Sequence, residues 1–397
     1  MPDMTGNRNV STAGALFVVL ALCMSGCGEK DGAATGGNAR ATKAQLQTAA
    51  LLVTLPDFVT TPDGMAIDPD GNLIVACPNY VDQTKPACLI KITKDKNVTK
   101  WVDVPVLPKT GLACPMGIQF GPDGDIYICD NQGWSGTEKG AFEGRMLRLR
   151  IKDNQVVKCT VVAEGMEHPN GCRVLNGCLY VTQSMLTKVK DPSGLCLSAV
   201  YRFKCDDENV KVSNTLDDKQ IVTTFLTQNK NCQYGADGIV FDSKGNLYVG
   251  NFGDGAIHKI TFGTDGKATS NTVFAKTDLD YTLDPKAPGF LAKATQAKMR
   301  TTDGICADDK DNIYVADFSN NAIAKVTPKG EISVICQNGD VGGANGALNE
   351  PGEPIIWNGI IAVSNFDAVF GPNHPDKVNT KHEMPTTMSM LKMKNVE

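Results

Sequence analysis

Hydrophobic and polar positions alternate along most of the chain, in short runs separated by turn residues. The clearest run is Gly235–Ile257, where apolar residues alternate with others on both sides of a Ser-Lys-Gly-Asn turn at 243–246. Alternation on both sides of a tight reversal predicts two antiparallel strands joined as a β-hairpin. The chain is therefore expected to contain at least one hairpin of this kind, with Asp237 and Gly238 at the start of its first strand.

The same unit recurs along the chain, and the recurrence predicts the fold. Six copies are found, at intervals of 53, 54, 67, 66 and 50 residues. Such spacing indicates a repeat array in which each unit is one blade of four short strands. The positions aligned with Asp237 are Asp63, Met116, Asn170, Asp237, Asp303 and Glu353.

The two ends of the array complete one another, which favours a closed ring over a stacked solenoid of hairpins. Ala49–Phe58 reads as a strand without a blade, whereas the sixth unit, ending in the strand Thr387–Met393, lacks a fourth strand. Adding the first strand to the last blade leaves no open sheet edge. The sequence therefore predicts an all-β fold, a six-bladed β-propeller over residues 46–397 whose N-terminal strand closes the last blade.

The first residues have the pattern of an export signal. Arg8 precedes the apolar run Ala13–Met24, and Ser-Gly precedes Cys27. A cysteine after small residues resembles the bacterial lipoprotein signal, in which that cysteine is lipidated. Residues 1–26 are then a signal peptide and 27–45 a tether, with the periplasmic face of an outer membrane or the cell surface as the location. Simple secretion, with Cys27 incidental, is the alternative.

The charge and composition of the chain limit the classes of molecule that it is expected to bind. The net charge is −5 over 397 residues, and no run of Lys or Arg is present. Nucleic acid is therefore not an expected partner, and a membrane is expected only through the lipid anchor. A small-molecule substrate and a monomeric state are expected.

The cysteines favour disulfides over a metal site. Apart from Cys23 and Cys27, twelve of the 14 cysteines remain, none in a C-x-x-C pattern. In an exported chain this predicts disulfides of unspecified pairing. Cys172 and Cys178 are not expected to pair, because they would not face each other across a turn at Asn176-Gly177.

Three insertions interrupt the array, at 130–144, 183–198 and 278–300. Loops on one rim of a propeller shape access to its axis. We expect this role for the first two; for the third, which reads as partly helical over Pro288–Met299, ordinary variation is an equal alternative.

The repeated acidic position predicts a cation site. If the six hairpins are radial, Asp63, Asn170, Asp237, Asp303 and Glu353 converge on the channel, where the carboxylates repel unless a cation lies among them or some are protonated. Oxygen ligands without Cys or His favour Ca²⁺ over Mg²⁺ or Mn²⁺. Any one Asp-Gly pair alone is only a turn signal.

These residues resemble the gluconolactonase and senescence-marker-protein (regucalcin) family, and also diisopropylfluorophosphatase. Pro-Asn-Gly at Asn170 and Ala-Asp-Gly at Asp237 match its motifs, whereas Asp63 stands where the family has Glu, and Met116 where it commonly has Asn. The resemblance implies a six-bladed propeller that binds a divalent cation through Asp63, Asn170 and Asp237. The implied cation is Ca²⁺, with Mg²⁺, Mn²⁺ or Zn²⁺ as alternatives; Met116, Asp303 and Glu353 are further channel residues.

The resemblance also implies a reaction. In lactonases of this family the metal polarises the ester carbonyl, Asp237 activates water, and His168 is a candidate proton-transfer group, with a place on the rim as its alternative. The first expectation is a cell-envelope, metal-dependent hydrolase of a lactone or related ester. Alternatives are a phosphotriesterase and, favoured by Met116, a non-catalytic periplasmic binding propeller. A quinone-dependent sugar dehydrogenase is disfavoured, because no cluster of basic residues and histidines suits the quinone.

Overall fold

Short strands fill most of the chain, because β-branched and apolar residues alternate between turns rich in Gly, Asn and Asp. The computed structural model describes residues 46–135, 138–284, 286–369, 379 and 381–393. Their strands form six sheets, so the expected six-bladed β-propeller is confirmed. The export signal, the tether and Cys27 lie outside the described residues.

Each blade is a sheet of antiparallel strands that follow one another from the axis outward. The first blade consists of β2 (Met65–Ile67), β3 (Leu73–Cys77), β4 (Cys88–Ile92) and β5 (Val98–Asp103). The second consists of β6 (Pro115–Phe120), β7 (Ile126–Asp130), β8 (Gly144–Lys152) and β9 (Gln155–Met166). The third consists of β10 (Pro169–Leu175), β11 (Cys178–Gln183), β12 (Leu197–Lys204) and β14 (Ile221–Leu226).

The remaining blades follow the same order. The fourth consists of β15 (Ala236–Phe241), β16 (Leu247–Asn251), β17 (Ala256–Phe262) and β18 (Ala268–Lys276). The fifth consists of β19 (Ile305–Ala307), β20 (Ile313–Asp317), β21 (Ala322–Val326) and β22 (Ile332–Gln337). The sixth consists of β23 (Pro351–Trp357), β24 (Ile360–Asn365), β25 (Thr387–Lys392) and β1 (Ala50–Thr54). One more strand, β13 (Val210–Lys211), pairs in parallel with the outer edge of β9.

The expected closure of the ring is present. Strand β1 pairs antiparallel with β25, with Ala50 opposite Met390 and Thr54 opposite Thr387. Beyond the strand, the Leu55 amide donates to the Thr386 carbonyl at 2.9 Å. The sixth blade is thus built from both ends of the propeller.

The second strand of each blade lies between two neighbouring blades and is buried on both faces. All five residues of β3, β7, β16 and β20 are buried. Burial on both faces explains why these strands read as nearly continuous apolar runs. The hydrophobic core is therefore a ring of interfaces between blades.

A carboxylate closes the turn between the first two strands of three blades. In the fourth blade, Asp242 Oδ1 accepts from the amides of Lys244 at 2.9 Å and Asn246 at 2.8 Å. Partial burial acts to raise the pKa of Asp242, but the hydrogen bonds from Asn246 outweigh it and the pKa is lowered. Asp68 and Asp308 accept from Asn72 and Asn312 in the same way.

The expected disulfides are not found among the described residues. The twelve cysteines there are all free, and seven of them are buried. Buried cysteines pack as small apolar side chains, which accounts for their frequency in these interior strands. Cys172 lies opposite Val181 and Cys178 opposite Leu175, so these two do not face each other, as expected. The free cysteines are Cys77, Cys88, Cys114, Cys129, Cys159, Cys172, Cys178, Cys196, Cys205, Cys232, Cys306 and Cys336.

The insertions add little regular structure. The third carries α1 (Phe290–Ala294), within the predicted helical stretch. Short 3-10 turns occur at Gln132–Ser135, Glu138–Gly140, Phe318–Asn320 and Gly343–Asn345. In the described part of the chain, no helix has both the length and the apolar character needed to cross a membrane.

Candidate functional site

The predicted site residues lie around the axis of the ring, in two cavities that share three of their lining residues. We call the narrower one the axial cavity; it is lined by Asp63, Asn170, Arg173, Asp237, Asp303 and Glu353 together with glycines. We call the wider one the mouth pocket; its volume is about 330 Å³, and its lining includes Met116, His168, Asn170, Asp237 and Asp303. All of the predicted protein-site residues thus face one of these cavities.

The repeated position is a bulge in the innermost strand of four blades, whereas in the first and fifth blades it lies just before that strand. In β15, Ala236 pairs with Asn251 and Ile239 pairs with Val249, so Asp237 and Gly238 stand out of register between them. A bulge re-aims side chains away from the regular alternation. The same interruption occurs in β6, β10 and β23.

The glycine beside the repeated position is required by the close approach of the neighbouring blade. A Cβ at Gly64 would lie 2.2 Å from the Met116 carbonyl oxygen, and one at Gly238 would lie 2.3 Å from the Asp303 carbonyl oxygen. Real Cβ atoms do not approach backbone so closely, and glycine is the residue without one. The Asp-Gly and Asn-Gly pairs are therefore set by blade packing as well as by ligand chemistry.

The sixth blade is out of phase with the prediction. Pro351 pairs with Asn365 and Pro354 with Val363, so Gly352 occupies the position of Asp237 and Glu353 that of Gly238. The alignment of Glu353 with Asp237 is therefore wrong by one residue. Its physical reason is that a glycine is needed where the strand faces Asp63, since a Cβ at Gly352 would lie 2.8 Å from Asp63 Oδ1.

Glu353 is held by a guanidinium that was not predicted from the sequence. Arg173 Nη2 donates to Glu353 Oε1 at 2.8 Å, and the Met65 amide donates to Glu353 Oε2 at 2.6 Å. Burial acts to lower the pKa of Arg173, but the Glu353 carboxylate outweighs it and the pKa is raised. The sequence signal was that Arg173 is the only charged residue at this position of the repeat. The equivalent positions of the other blades carry Ala66, Gln119, Val240, Cys306 and Ile355.

The other three carboxylates have no cationic partner among the described residues. Burial and then the Glu353 carboxylate raise the pKa of Asp63 to about 8. Burial and then Asp63 raise the pKa of Asp237, while burial and then Asp237 raise the pKa of Asp303. Asp237 and Asp303 lie within hydrogen-bonding reach of each other. Two such buried carboxyl groups cannot both ionise readily unless positive charge is supplied.

Asn170 and Asp237 are positioned by hydroxyl groups of the third blade. The Thr182 hydroxyl donates to the Asp237 carbonyl at 2.6 Å and accepts from the Gly171 amide at 2.7 Å. Asn170 Nδ2 lies 3.4 Å from both Ser184 Oγ and the Tyr234 hydroxyl oxygen. This contact turns the amide nitrogen toward the protein and leaves the amide oxygen for a ligand.

His168 lies in the wall of the mouth pocket. Burial lowers its pKa to about 4, so the imidazole is neutral near pH 7. Its Nδ1 is buried without a hydrogen-bond partner in the described structure. The ring meets Tyr234 edge-on with centroids 5.9 Å apart.

Aromatic rings form much of the rest of the wall. Phe252, Phe318 and Phe366 each follow the second strand of their blade directly, in the fourth, fifth and sixth blades. Trp134, from the first insertion, lies 5.5 Å from Phe366 between ring centroids. The sequence analysis did not predict this aromatic wall. The signal that could have indicated it was the Asn-Phe or Asp-Phe pair that recurs at the ends of these strands.

The donor chemistry of the axial cavity fits a hard divalent cation. Asp63, Asp237 and Asp303 supply carboxylates without a cationic partner in the described structure, and Asn170 supplies an amide oxygen. Such oxygens are the ligands that Ca²⁺ takes in proteins. Within the described residues, however, no three Asp, Glu, His or Cys side chains are close enough together to hold a metal ion.

The comparisons with known proteins concern the fold. No protein-family model matches the chain, and no curated protein matches it. The structure is similar to a gluconolactonase from Xanthomonas campestris (12% identity, TM-score 0.51, covering 88% of this chain and 96% of that one). It is also similar to regucalcin, a calcium-binding protein from Agrobacterium tumefaciens (11%, 0.51, 87% and 93%). A third similar structure is the PQQ-bound aldose sugar dehydrogenase from Streptomyces coelicolor (15%, 0.55, 88% and 98%).

At these identities the likeness shows that the six-bladed fold is shared with gluconolactonases and regucalcin, as expected. The same fold serves a sugar dehydrogenase, so it does not select a reaction. Function must be argued from the residues of the site.

Proposed function

We propose that this chain is a hydrolase of a lactone or related ester that acts with a divalent cation, most simply Ca²⁺. The observation that carries the proposal is the set of three buried carboxylates in the axial cavity that lack a cationic partner in the described structure. They lie beside the amide oxygen of Asn170, and two of them, Asp237 and Asp303, also form the floor of the mouth pocket. Asp63, Asn170 and Asp237 would hold the cation. When bound, it would polarise the carbonyl of the ester.

The residues of the chain divide the remaining tasks. Asp237 is the base: burial and then the Asp63 carboxylate raise its pKa, so it accepts a proton only once a bound cation has offset these effects and left it ionised. Asp303, within hydrogen-bonding reach of Asp237, fixes that carboxyl group in place. His168 is neutral and lies in the wall of the mouth pocket, so its imidazole is the candidate to relay a proton.

The second candidate is a non-catalytic binding propeller. Met116 favours it, since a thioether stands where the other blades bring Asp63, Asn170, Asp237 or Asp303 to the axis. A phosphotriester would also fit a bound cation, because Ca²⁺ polarises P=O as well as C=O. Metal binding and hydrolysis must therefore be measured separately.

Substitution of Asp237 distinguishes the candidates. Asp237→Asn keeps an oxygen donor and removes the base, so hydrolysis of a lactone panel should fall about 10²–10⁴-fold while calorimetric Ca²⁺ affinity changes far less. Asp237→Ala should weaken both, because a hard cation loses an oxygen ligand. EDTA should abolish the activity of the wild type.

Asp303→Asn is the matched control. It alters the partner of Asp237 and should reduce Ca²⁺ affinity less than Asp237→Ala does. The proposal is refuted if the wild type binds no divalent cation, or if Asp237→Asn and Asp303→Asn reduce hydrolysis equally.

We also propose that the protein is anchored in the cell envelope through Cys27. The support is the sequence alone: a short apolar run ends in Ser-Gly before this cysteine. Cys27→Ala should release the protein from the membrane fraction, because one lipidated cysteine is the only anchor that the sequence predicts. Unchanged sedimentation with membranes would contradict this.

A further inference from the structure

The mouth pocket has a wall whose chemistry differs from that of its floor. The floor carries Asp237, Asp303 and Asn170, whereas the wall above it is built largely from the rings of Trp134, Phe252, Phe318, Phe366 and Tyr234 and from two methionines, Met116 and Met185. Carboxylates that hold a cation explain the floor. They do not explain why three consecutive blades place phenylalanine on the rim.

The rings contact one another in an unbroken series. Centroid distances are 5.5 Å from Trp134 to Phe366, 5.8 Å from Phe366 to Phe318, and 5.8 Å from Phe318 to Phe252. The series continues from Phe252 to Tyr234 at 5.8 Å. Edge-on contacts of this kind fix each ring against its neighbours. The wall is therefore a preformed surface rather than a set of independently moving side chains.

This wall offers few hydrogen bonds to a ligand. Phenylalanine has no donor or acceptor, and the Tyr234 hydroxyl already lies against Asn170 Nδ2 at 3.4 Å. A lactone ring with several hydroxyl groups would lose hydrogen bonds to water on entering and gain few in return. An apolar ring or chain would instead gain from removal of its surface from water.

We propose that the substrate is a lactone or ester with an apolar body, aryl or alkyl, which packs against Phe252, Phe318 and Phe366 while the ester group reaches the floor. This inference rests on the proposed hydrolase function. It names the substrate class of the same site and separates it from polyhydroxylated sugar lactones. The cavity volume of about 330 Å³ admits one small molecule.

A substrate pair and a binding probe test the inference. The pair is a benzo-fused δ-lactone and glucono-δ-lactone, compared by kcat/KM in the full-length protein with Ca²⁺. The probe is the benzo-fused δ-lactam, which is not hydrolysed. Its binding is measured by the change in tryptophan fluorescence, and the variant Trp134→Phe shows which part of the signal comes from Trp134. We expect the aryl lactone to be preferred and the lactam to change the fluorescence saturably.

Two leucine variants locate the effect. Phe318→Leu removes a ring of the wall but keeps an apolar side chain, and should weaken lactam binding about tenfold, equivalent to about 1.4 kcal/mol. The matched control is Phe274→Leu, a ring on the outer strand β18 that contacts Tyr248 rather than the pocket. Phe274→Leu should leave lactam binding unchanged.

The outcomes separate this inference from the proposed function. Lactam binding without hydrolysis of any ester would overturn the hydrolase and support an apolar-ligand site. Preference for glucono-δ-lactone would support the hydrolase and overturn the apolar substrate. Absence of lactam binding would also overturn the apolar substrate, and so would an equal loss of lactam affinity in Phe318→Leu and Phe274→Leu.

Discussion

At the scale of single residues, the main feature of the propeller axis is an excess of buried negative charge. Four carboxylates line one cavity, and the single guanidinium beside them, Arg173, is committed to Glu353. This pair removes Glu353 from the set of axial-cavity carboxylates that lack a cationic partner in the described structure. What remains is three carboxyl groups, Asp63, Asp237 and Asp303, whose pKa values are all raised and which gain most from a cation.

The buried ion pair of Arg173 and Glu353 should be needed for stability, because removal of one partner leaves the other charge buried and unpaired. Arg173→Met leaves the Glu353 carboxylate buried with only the Met65 amide and should cost about 3–5 kcal/mol in the free energy of unfolding. The double variant Arg173→Met/Glu353→Gln should recover part of this loss, because glutamine carries no charge yet still accepts from Met65. Urea denaturation of both variants and of Glu353→Gln measures the coupling.

An ion pair whose arginine is exposed is the control for that experiment. Arg150 also bonds a carboxylate, Asp125, but its side chain is 47% exposed. Arg150→Met should therefore cost no more than about 1 kcal/mol. If Arg173→Met were no more destabilising than Arg150→Met, the buried pair would have no special role in the ring.

The sequence predicts some of these residues well and others badly, for physical reasons. Asn170 and Asp237 were predictable because the glycine after each one marks the bulge. Glu353 was assigned one position out, because its blade places the glycine before the acid and only the pairing of Pro351 and Pro354 reveals the phase. Arg173 was missed because its partner is 180 residues away.

At the scale of elements, alternation within hairpins was sufficient to predict most strands. The predicted closing strands Ala49–Phe58 and Thr387–Met393 correspond to β1 and β25. By contrast, β13 is two residues long and joins the edge of another blade through its backbone, which leaves no hydrophobic pattern to detect.

The aromatic wall shows a second limit of sequence patterns. Phe252, Phe318 and Phe366 each follow an Asn or Asp at the end of a strand, and each alone reads as the start of a loop. Only the radial arrangement of the blades brings the three rings to one rim. A surface built from several repeats can therefore be predicted when the repeats are aligned with one another, but not when each repeat is considered alone.

At the scale of the whole molecule, both ends of the propeller meet around the sixth blade. Strand β1 covers the outer edge of β25, the Thr386 hydroxyl donates to the Val59 carbonyl at 2.9 Å, and Trp357 Nε1 donates to the Gly71 carbonyl at 2.9 Å. The second contact joins the sixth blade to the segment between β1 and β2, and the third joins it to the first blade. Because the axial residues come from every part of the ring, their placement depends on this closure.

Two truncations test the closure. A chain beginning at residue 46 keeps β1 and should unfold at the same temperature as the full-length protein. A chain beginning at residue 61 loses Leu52, Val53 and Leu55, which are buried, each contributing about 1.5–3 kcal/mol, and it exposes the edge of β25. Because an ordinary domain is stable by only about 5–15 kcal/mol, the shorter chain should melt at a clearly lower temperature and aggregate through the open edge. Equal melting temperatures for the two truncations would mean that the ring is held closed without β1.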